Sequence, residues 1–173
     1  MKKQGTLENL ANIVYLAIGS NLGNKINNIE LAKLELKKNK IEILNCSSNY
    51  VTESWPDPTK PNFINIIIKV KTNLTPIQLL NICNSIESKL GRVRTTANAP
   101  RTCDIDIIDY NKMILNDKNK KLILPHPRMN KRNFVLLPLF EIEKSWKHPK
   151  SKINILNLIN SLPVKDLRSI KLI

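Results

Sequence analysis

The stretch FINIIIKVKTNLTPIQLLNICNSIESKLG, residues 63–91, decides the fold. Residues 63–70 are dominated by isoleucine and valine and read as a strong strand. Thr75 then supplies a helix N-cap, Pro76 suits the first turn, and Gln78 stands where a capping box needs it. Leu79, Cys83, Ile86 and Leu90 recur at helical spacing and form one face. Gly91 closes the helix as its C-cap. The segment is a strand followed by a sharply bounded helix.

Working outward, residues 13–18 are β-rich and read as a buried strand. Residues 24–38 carry Ile26, Ile29, Ala32 and Leu36 at helical spacing. Residues 41–51 are strand-like, and residues 54–61 hold Pro56, Asp57, Pro58 and Pro61, which mark a long loop. Residues 103–110 alternate as a strand. The order is β-α-β-β-α-β, an α/β (α+β) chain with a split βαβ, ferredoxin-like core. The tail adds a hairpin around Asn116-Asp117, then helices over residues 134–142 and 153–160. One domain is expected over residues 1–173, with a short frayed arm over the first eleven.

Composition bounds the function. The chain is 42% hydrophobic and 24% charged, the balance of a globular protein. No apolar stretch nears the ~20 residues needed to cross a bilayer. Residues 13–18 are too short for a signal peptide's apolar core and run into Gly19-Ser20-Asn21, so a cytoplasmic protein without a membrane partner is expected. Three scattered cysteines, Cys46, Cys83 and Cys103, and two histidines argue against structural zinc. The net charge of +14 suits a polyanionic partner, nucleic acid or a nucleotide phosphate. Scattered lysines such as Lys37, Lys38 and Lys40 fit a plain compositional bias as well.

The chemistry concentrates around Asp104-Ile105-Asp106. Residues two apart in a strand share a face, so Asp104 and Asp106 project together while Ile105 and Ile107 bury opposite. Three of the six aspartates lie within residues 104–109. Paired carboxylates repel unless a cation sits between them, and magnesium bridging phosphates is the usual cation. A polar face on an edge strand would account for the pair by itself. Arg92, Arg94 and Arg101 stand close by in sequence, and arginine matches phosphate oxygens with paired hydrogen bonds. Two prolines fix a turn around His126, which Arg128, Lys131 and Arg132 surround. Gly19-Ser20-Asn21 lacks the glycines of a dinucleotide fingerprint and the Gly-Lys-Ser/Thr of a P-loop; an ordinary strand-to-helix turn accounts for it. Phe63 and Asn65 share a strand face and could stack on and hydrogen-bond a flat heterocycle; a core Phe beside a surface Asn is the commoner case.

These stretches together resemble the 6-hydroxymethyl-7,8-dihydropterin pyrophosphokinase family. The resemblance rests on Ala17-Ile18-Gly19-Ser20-Asn21-Leu22-Gly23, Asn62-Phe63-Ile64-Asn65, Ile86-Glu87 with Gly91-Arg92-Val93-Arg94, the segment from Ala99 to Ile107, and Pro125-His126-Pro127 through Phe134 and Pro138-Leu139. It covers residues 13–142, and Pro100-Arg101-Thr102-x-Asp104-x-Asp106-Ile107 is its most specific part. It implies a ferredoxin-like fold and a Mg2+-dependent transfer of the pyrophosphoryl group of ATP, with two magnesium ions on Asp104 and Asp106. It implies phosphate contacts and charge neutralisation from Arg92 and Arg101, and nucleotide phosphate contacts from His126 and Arg132. Glu87 and Ile107 would seat the nucleoside. Phe63 and Phe134 would sandwich the pterin, with Asn65 at its edge and Thr52 and Trp55 lining the pocket. The implied partners are ATP and 6-hydroxymethyl-7,8-dihydropterin, with no nucleic acid, and the implied state is a monomer. Loops over residues 19–25, 53–61 and 92–100 would close on ATP. Residues 95–98 lack the aromatic that some relatives carry, and Pro127 stands where some have tyrosine. Two other classes of function compete. An RNA-binding module would use the +14 charge, but aromatics are only 5% and no strand offers a stacking platform. A non-catalytic ligand-binding module would need neither aspartate.

Overall fold

The computed structural model describes residues 11–93, 98–117, 119 and 122–173. Residues 1–10 of the expected eleven-residue arm, Arg94 and residues 95–97 of the loop after it lie outside that set. The elements run β1 (Asn12–Ser20), α1 (Lys25–Lys38), β2 (Glu42–Cys46), β3 (Tyr50–Thr52), β4 (Phe63–Thr72), α2 (Pro76–Lys89) and β5 (Asp104–Tyr110). The remainder is β6 (Leu115–Asp117), β7 (Leu122–Leu124), a 3-10 turn at Met129–Lys131, α3 (Asn133–Ile142), α4 (Ile155–Asn160), α5 (Val164–Arg168) and β8 (Lys171–Leu172).

The main sheet is antiparallel in the order β5-β1-β4-β3-β8, with β2 also paired to β4. Reading β2 and β3 as one interrupted strand, this is the expected ferredoxin-like arrangement. Alternation along the strands divides the sheet's side chains between two cores. Val14, Leu16 and Ile18 of β1, Ile64, Ile66 and Ile68 of β4, and Ile105 and Ile107 of β5 pack against Ile29, Ala32 and Leu36 of α1 and Leu79, Cys83 and Ile86 of α2. The other face sets Tyr15 and Ile67 against Val135, Leu136 and Leu139 of α3 and Ile155 and Leu158 of α4. Each fully buried isoleucine contributes roughly 1.5–3 kcal/mol of transfer free energy.

The capping box forms as read: the Thr75 hydroxyl accepts from the Gln78 N–H, and the Gln78 side chain accepts from the Thr75 N–H. Gly91 takes a φ of +83°, a left-handed conformation that suits glycine just past a helix end.

Three expectations are corrected, and two elements were not read at all. The strand read over residues 41–51 is broken. Ser47 donates its N–H to the Ile67 carbonyl at 2.9 Å, but its hydroxyl, not its carbonyl, accepts the Ile67 N–H at 3.0 Å. Ser48 then turns to Glu141 of α3, and pairing with β4 resumes only at Tyr50. The tail hairpin forms as β6 and β7, but Asn116 and Asp117 are paired strand residues, not its turn, because Leu115 pairs with Leu124. The helix read from residue 153 starts at Ile155, since Asn154 is its N-cap and accepts the Asn157 N–H at 2.8 Å. Finally, α5 and β8 carry no periodicity long enough to read, yet β8 extends the sheet beside β3.

Candidate active site

Three strands end on one patch. Asn65 of β4, Gly19 of β1 and Asp104 of β5 stand side by side in register, and Ile67, Ala17 and Asp106 form the next row. These six face the α3 side, because their neighbours along each strand are the isoleucines of the α1/α2 core. Asp104 and Asp106 therefore share a face, as the sequence spacing required.

The Asp104 carboxylate lies between two guanidinium groups. Arg92 Nη1 meets Oδ1 at 2.5 Å and Arg101 Nη2 meets Oδ2 at 2.5 Å. The position of Arg92 follows from the end of α2. Gly91 N–H donates to the Ser88 carbonyl and Arg92 N–H to the Glu87 carbonyl, each at 3.0 Å, so the chain folds back on the helix. Arg92 thereby meets Glu87 Oε1 at 2.6 Å. Glu87 is buried and also accepts the Ile105 N–H at 2.7 Å, on the edge of β5 away from β1. Burial alone would push the Asp104 carboxyl up, but the Arg101 and Arg92 charges outweigh it and hold it below the ordinary carboxylate range.

Asp106 lies between the same strand and the 3-10 turn. Its Oδ2 accepts from Arg132 Nη1 at 3.0 Å and lies 3.7 Å from His126 Nε2. His126 is fixed by its backbone N–H to the Ile108 carbonyl, 2.9 Å, and by Nδ1 accepting the Arg128 N–H at 3.2 Å. Burial lowers the His126 pKa, Arg132 and Arg128 add to that, and Asp106 only partly opposes them. The lowered pKa favours the neutral ring, and Nδ1, being an acceptor, leaves the proton to Nε2, facing Asp106. Of the cations read around His126, Arg132 turns to the carboxylates while Arg128 and Lys131 are exposed.

The residues expected to face a flat ring adjoin this charged cluster. Asn65 Nδ2 donates to Thr52 Oγ1 at 3.0 Å, which fixes the amide plane. A Cβ at Gly19 would lie 2.9 Å from Asn65 Oδ1 and 3.6 Å from the Phe63 ring, so glycine there leaves that amide its room. The Arg101 guanidinium lies 4.9 Å from the Phe63 ring centre and that of Arg132 5.3 Å from the Phe134 ring centre. The arrangement can neutralise a polyanion and offer aromatic faces beside it.

A family model for 7,8-dihydro-6-hydroxymethylpterin-pyrophosphokinase (HPPK) matches residues 15–144. The chain belongs to this family. It is 42% identical over 154 residues to the folic acid synthesis protein FOL1 of Dictyostelium discoideum, covering 88% of this chain and 23% of that protein. It is 39% identical over 132 residues to the 2-amino-4-hydroxy-6-hydroxymethyldihydropteridine pyrophosphokinase of Bacillus subtilis, covering 76% of this chain and 78% of that one. The fold matches a Plasmodium falciparum HPPK-DHPS triple mutant solved with pteroate, at a TM-score of 0.73 and 16% identity, over 96% of this chain and 47% of that one. The chain thus spans under a quarter of the folic acid synthesis proteins and nearly half of the HPPK-DHPS chain, but most of the bacterial HPPK relative.

Two residues that the resemblance to HPPK assigned are set apart from this cluster. The Ile107 side chain is buried in the α1/α2 core, facing away from the carboxylates. Trp55 stands 79% exposed on the loop after β3. Glu87, Arg92, Arg101, Asp104, Asp106, His126 and Arg132 form the charged cluster; Phe63, with Asn65 of β4 and Thr52 of the adjoining β3, meets it at Arg101, and Phe134 meets it at Arg132. Sequence reading missed Asn21, which is buried beneath the site and bonded to the backbone of Arg101. Its partners are distant in the chain, so no local pattern announces it.

Proposed function

We propose that this chain transfers the pyrophosphoryl group of ATP to the hydroxymethyl oxygen of 6-hydroxymethyl-7,8-dihydropterin, releasing AMP, as a step of folate synthesis. The observation that carries the reading is the pair Asp104 and Asp106, on one sheet face within a ring of Arg92, Arg101, Arg132 and His126, with Phe63 and Phe134 each touching one of those arginines. Family membership supports ATP as the anion and the pterin as the ring that such a site would take.

Magnesium suits the donors. Both are hard carboxylate oxygens, and among the described residues no group of three or more His, Cys, Asp or Glu is placed to hold a metal ion by itself. Magnesium is held in this way, by one or two carboxylates, with phosphates and waters completing its shell. Asp104 and Asp106 would hold two such ions, which when bound neutralise phosphate charge and acidify the attacking hydroxyl. The chain's own work is positioning and charge compensation, the main demands of phosphoryl transfer. Arg92 and Arg101 bind the moving phosphates, and His126 and Arg132 grip the nucleotide phosphates. Phe63 and Phe134 stack the pterin, Asn65 hydrogen-bonds its edge, Thr52 holds that amide, and Trp55 comes in with its loop. Glu87 fixes Arg92 and the edge of β5 against the nucleoside, which meets Ile107 through the main chain. The acceptor oxygen attacks the β-phosphorus, the bond from that phosphorus to the α–β bridging oxygen breaks, and AMP leaves. The reading takes residues 1–173 as one catalytic domain, acting in the cytoplasm as a monomer.

The test supplies ATP, Mg2+ and the reduced pterin and identifies the nucleotide formed. AMP is expected. ADP, or no pterin-dependent turnover, overturns the reading.

A further inference from the structure

We propose that Asn21 is a positioning residue that locks the phosphate side of the site to the acceptor side. This deepens the reading above and rests on it. The residue is 1% exposed, and its main chain and side chain together reach three separate segments. Its N–H donates to the Arg101 carbonyl at 3.1 Å, and its Oδ1 accepts the Arg101 N–H at 2.8 Å. The backbone of Arg101 is thus gripped in both directions. On the other side, Asn21 Nδ2 donates to Ser54 Oγ at 3.2 Å and to the Pro61 carbonyl at 3.2 Å. Ser54 is itself buried and donates its hydroxyl to the same Pro61 carbonyl at 2.6 Å.

Each end of this bridge leads to the chemistry. Arg101 binds Asp104 and stacks on Phe63. Ser54 and Pro61 bracket the loop that carries Trp55 and leads through Asn62 into Phe63 and Asn65. A buried primary amide has two donors and one carbonyl acceptor, and here both ends are engaged. Its replacement leaves the Arg101 N–H without its acceptor, takes from the Pro61 carbonyl one of its two donors, and lets the two halves of the site shift against each other. Small misplacements of reacting groups act mainly on the chemical step. The turn Gly19-Ser20-Asn21, which spacing alone explains as an ordinary connection, is in this reading part of the catalytic frame.

The test is steady-state kinetics on wild type, Asn21→Ala, Ser54→Ala and the double variant, with ATP and pterin varied independently. Asn21→Ala is expected to lower kcat about 100-fold, while KM for ATP stays within about threefold. Ser54→Ala is expected to raise KM for the pterin about fivefold without moving KM for ATP. Because Ser54 and Asn21 bond each other and share the Pro61 carbonyl, the loss in the double variant should fall well short of the product of the two single losses. Amide exchange at Arg101 should quicken in Asn21→Ala while amides of β4 keep their protection, which a general loss of stability would not produce. Losses that multiply in the double variant, or a kcat for Asn21→Ala within threefold of wild type, overturn the proposal. Should Asn21→Ala fail to fold, Ser54→Ala decides, and an unchanged KM for the pterin sinks the idea. A wild type that makes no AMP removes the functional reading and this inference together. A wild type that makes AMP beside an equally active Asn21→Ala removes this inference alone.

Discussion

The two faces of β5 are built from alternate residues of one strand and do opposite work. Ile105 and Ile107 close a dry core against α1 and α2, whereas Asp104 and Asp106 sit among arginines at the open end of the other face. On the proposed reading, stability and chemistry share the same seven residues on opposite faces, and substitutions can test the two faces apart. The largest expected effect breaks the comparison if it fails. Asp106→Asn keeps the shape but removes the charge, and turnover should fall at least ~1000-fold, on the scale of losing a key electrostatic contact. Circular dichroism should show the fold intact. A variant with wild-type turnover would mean that the polar face is only a solvated edge.

The mirror experiment lies one residue away. Ile105→Ala opens a cavity under α2 and should cost about 2–5 kcal/mol, seen as a fall in Tm of roughly 4–20 °C. The kcat of the folded protein should stay within about threefold of wild type, since the side chain faces away from the site. Equal damage to kcat and to stability would show that the faces are not separable.

A smaller effect sharpens the polar face itself. Phe63 touches Arg101 but carries no charge, so Phe63→Ala should act on the ring substrate. Lost stacking of this kind is worth about 1–3 kcal/mol, so KM for the pterin should rise about 5–150-fold while KM for ATP moves little. An equal rise in both would place Phe63 under the nucleotide instead.

How far these faces were legible follows from where each signal resides. The helix after β4 was readable because Thr75, Pro76, Gln78 and Gly91 act locally, within one turn of the helix ends. The shared face of Asp104 and Asp106 was readable because alternation holds as far as Ile107. Beyond that it fails. Ile108 is an extra residue against Tyr15 and Leu16 of β1, and the bulge turns Asp109 into the α3/α4 core, where its carboxylate accepts from Trp146 Nε1 at 2.8 Å. Nothing near Asp109 signals this, because the bulge depends on a strand some ninety residues earlier. The break at Ser47 likewise depends on Ile67 and on Glu141 in α3. Asn21 shows the same limit, since its partners are Arg101, Ser54 and Pro61. What local chemistry dictates was visible, and what a distant partner dictates was not.

The smallest expected effect asks whether every charge on this face serves catalysis. At the inner end of the sheet Tyr15 pairs with Lys69 on one side and Asp109 on the other. Lys69 Nζ lies 2.7 Å from Glu143 Oε2, and the Tyr15 hydroxyl donates to the same oxygen at 3.2 Å. Hydrogen bonds from Lys69 and then Ser145 draw the Glu143 pKa down to about 2. A folded pKa below the unfolded one contributes stability that is complete above the unfolded value, about 4.3. That contribution is lost as pH falls from there toward 2. Lys69→Met removes the first of those bonds, so the folded pKa returns toward the ordinary range. Stability at pH 7 should fall by about 1 kcal/mol, since both groups are partly exposed and screened. The acid limb should be shallower, so the gap between variant and wild type narrows as pH drops from 5 to 3, while kcat is unchanged. Chemical denaturation across that range reads the gap directly. A gap that holds constant with pH would assign Lys69 a packing role over the Tyr15 ring, 5.8 Å away, instead of a charge role.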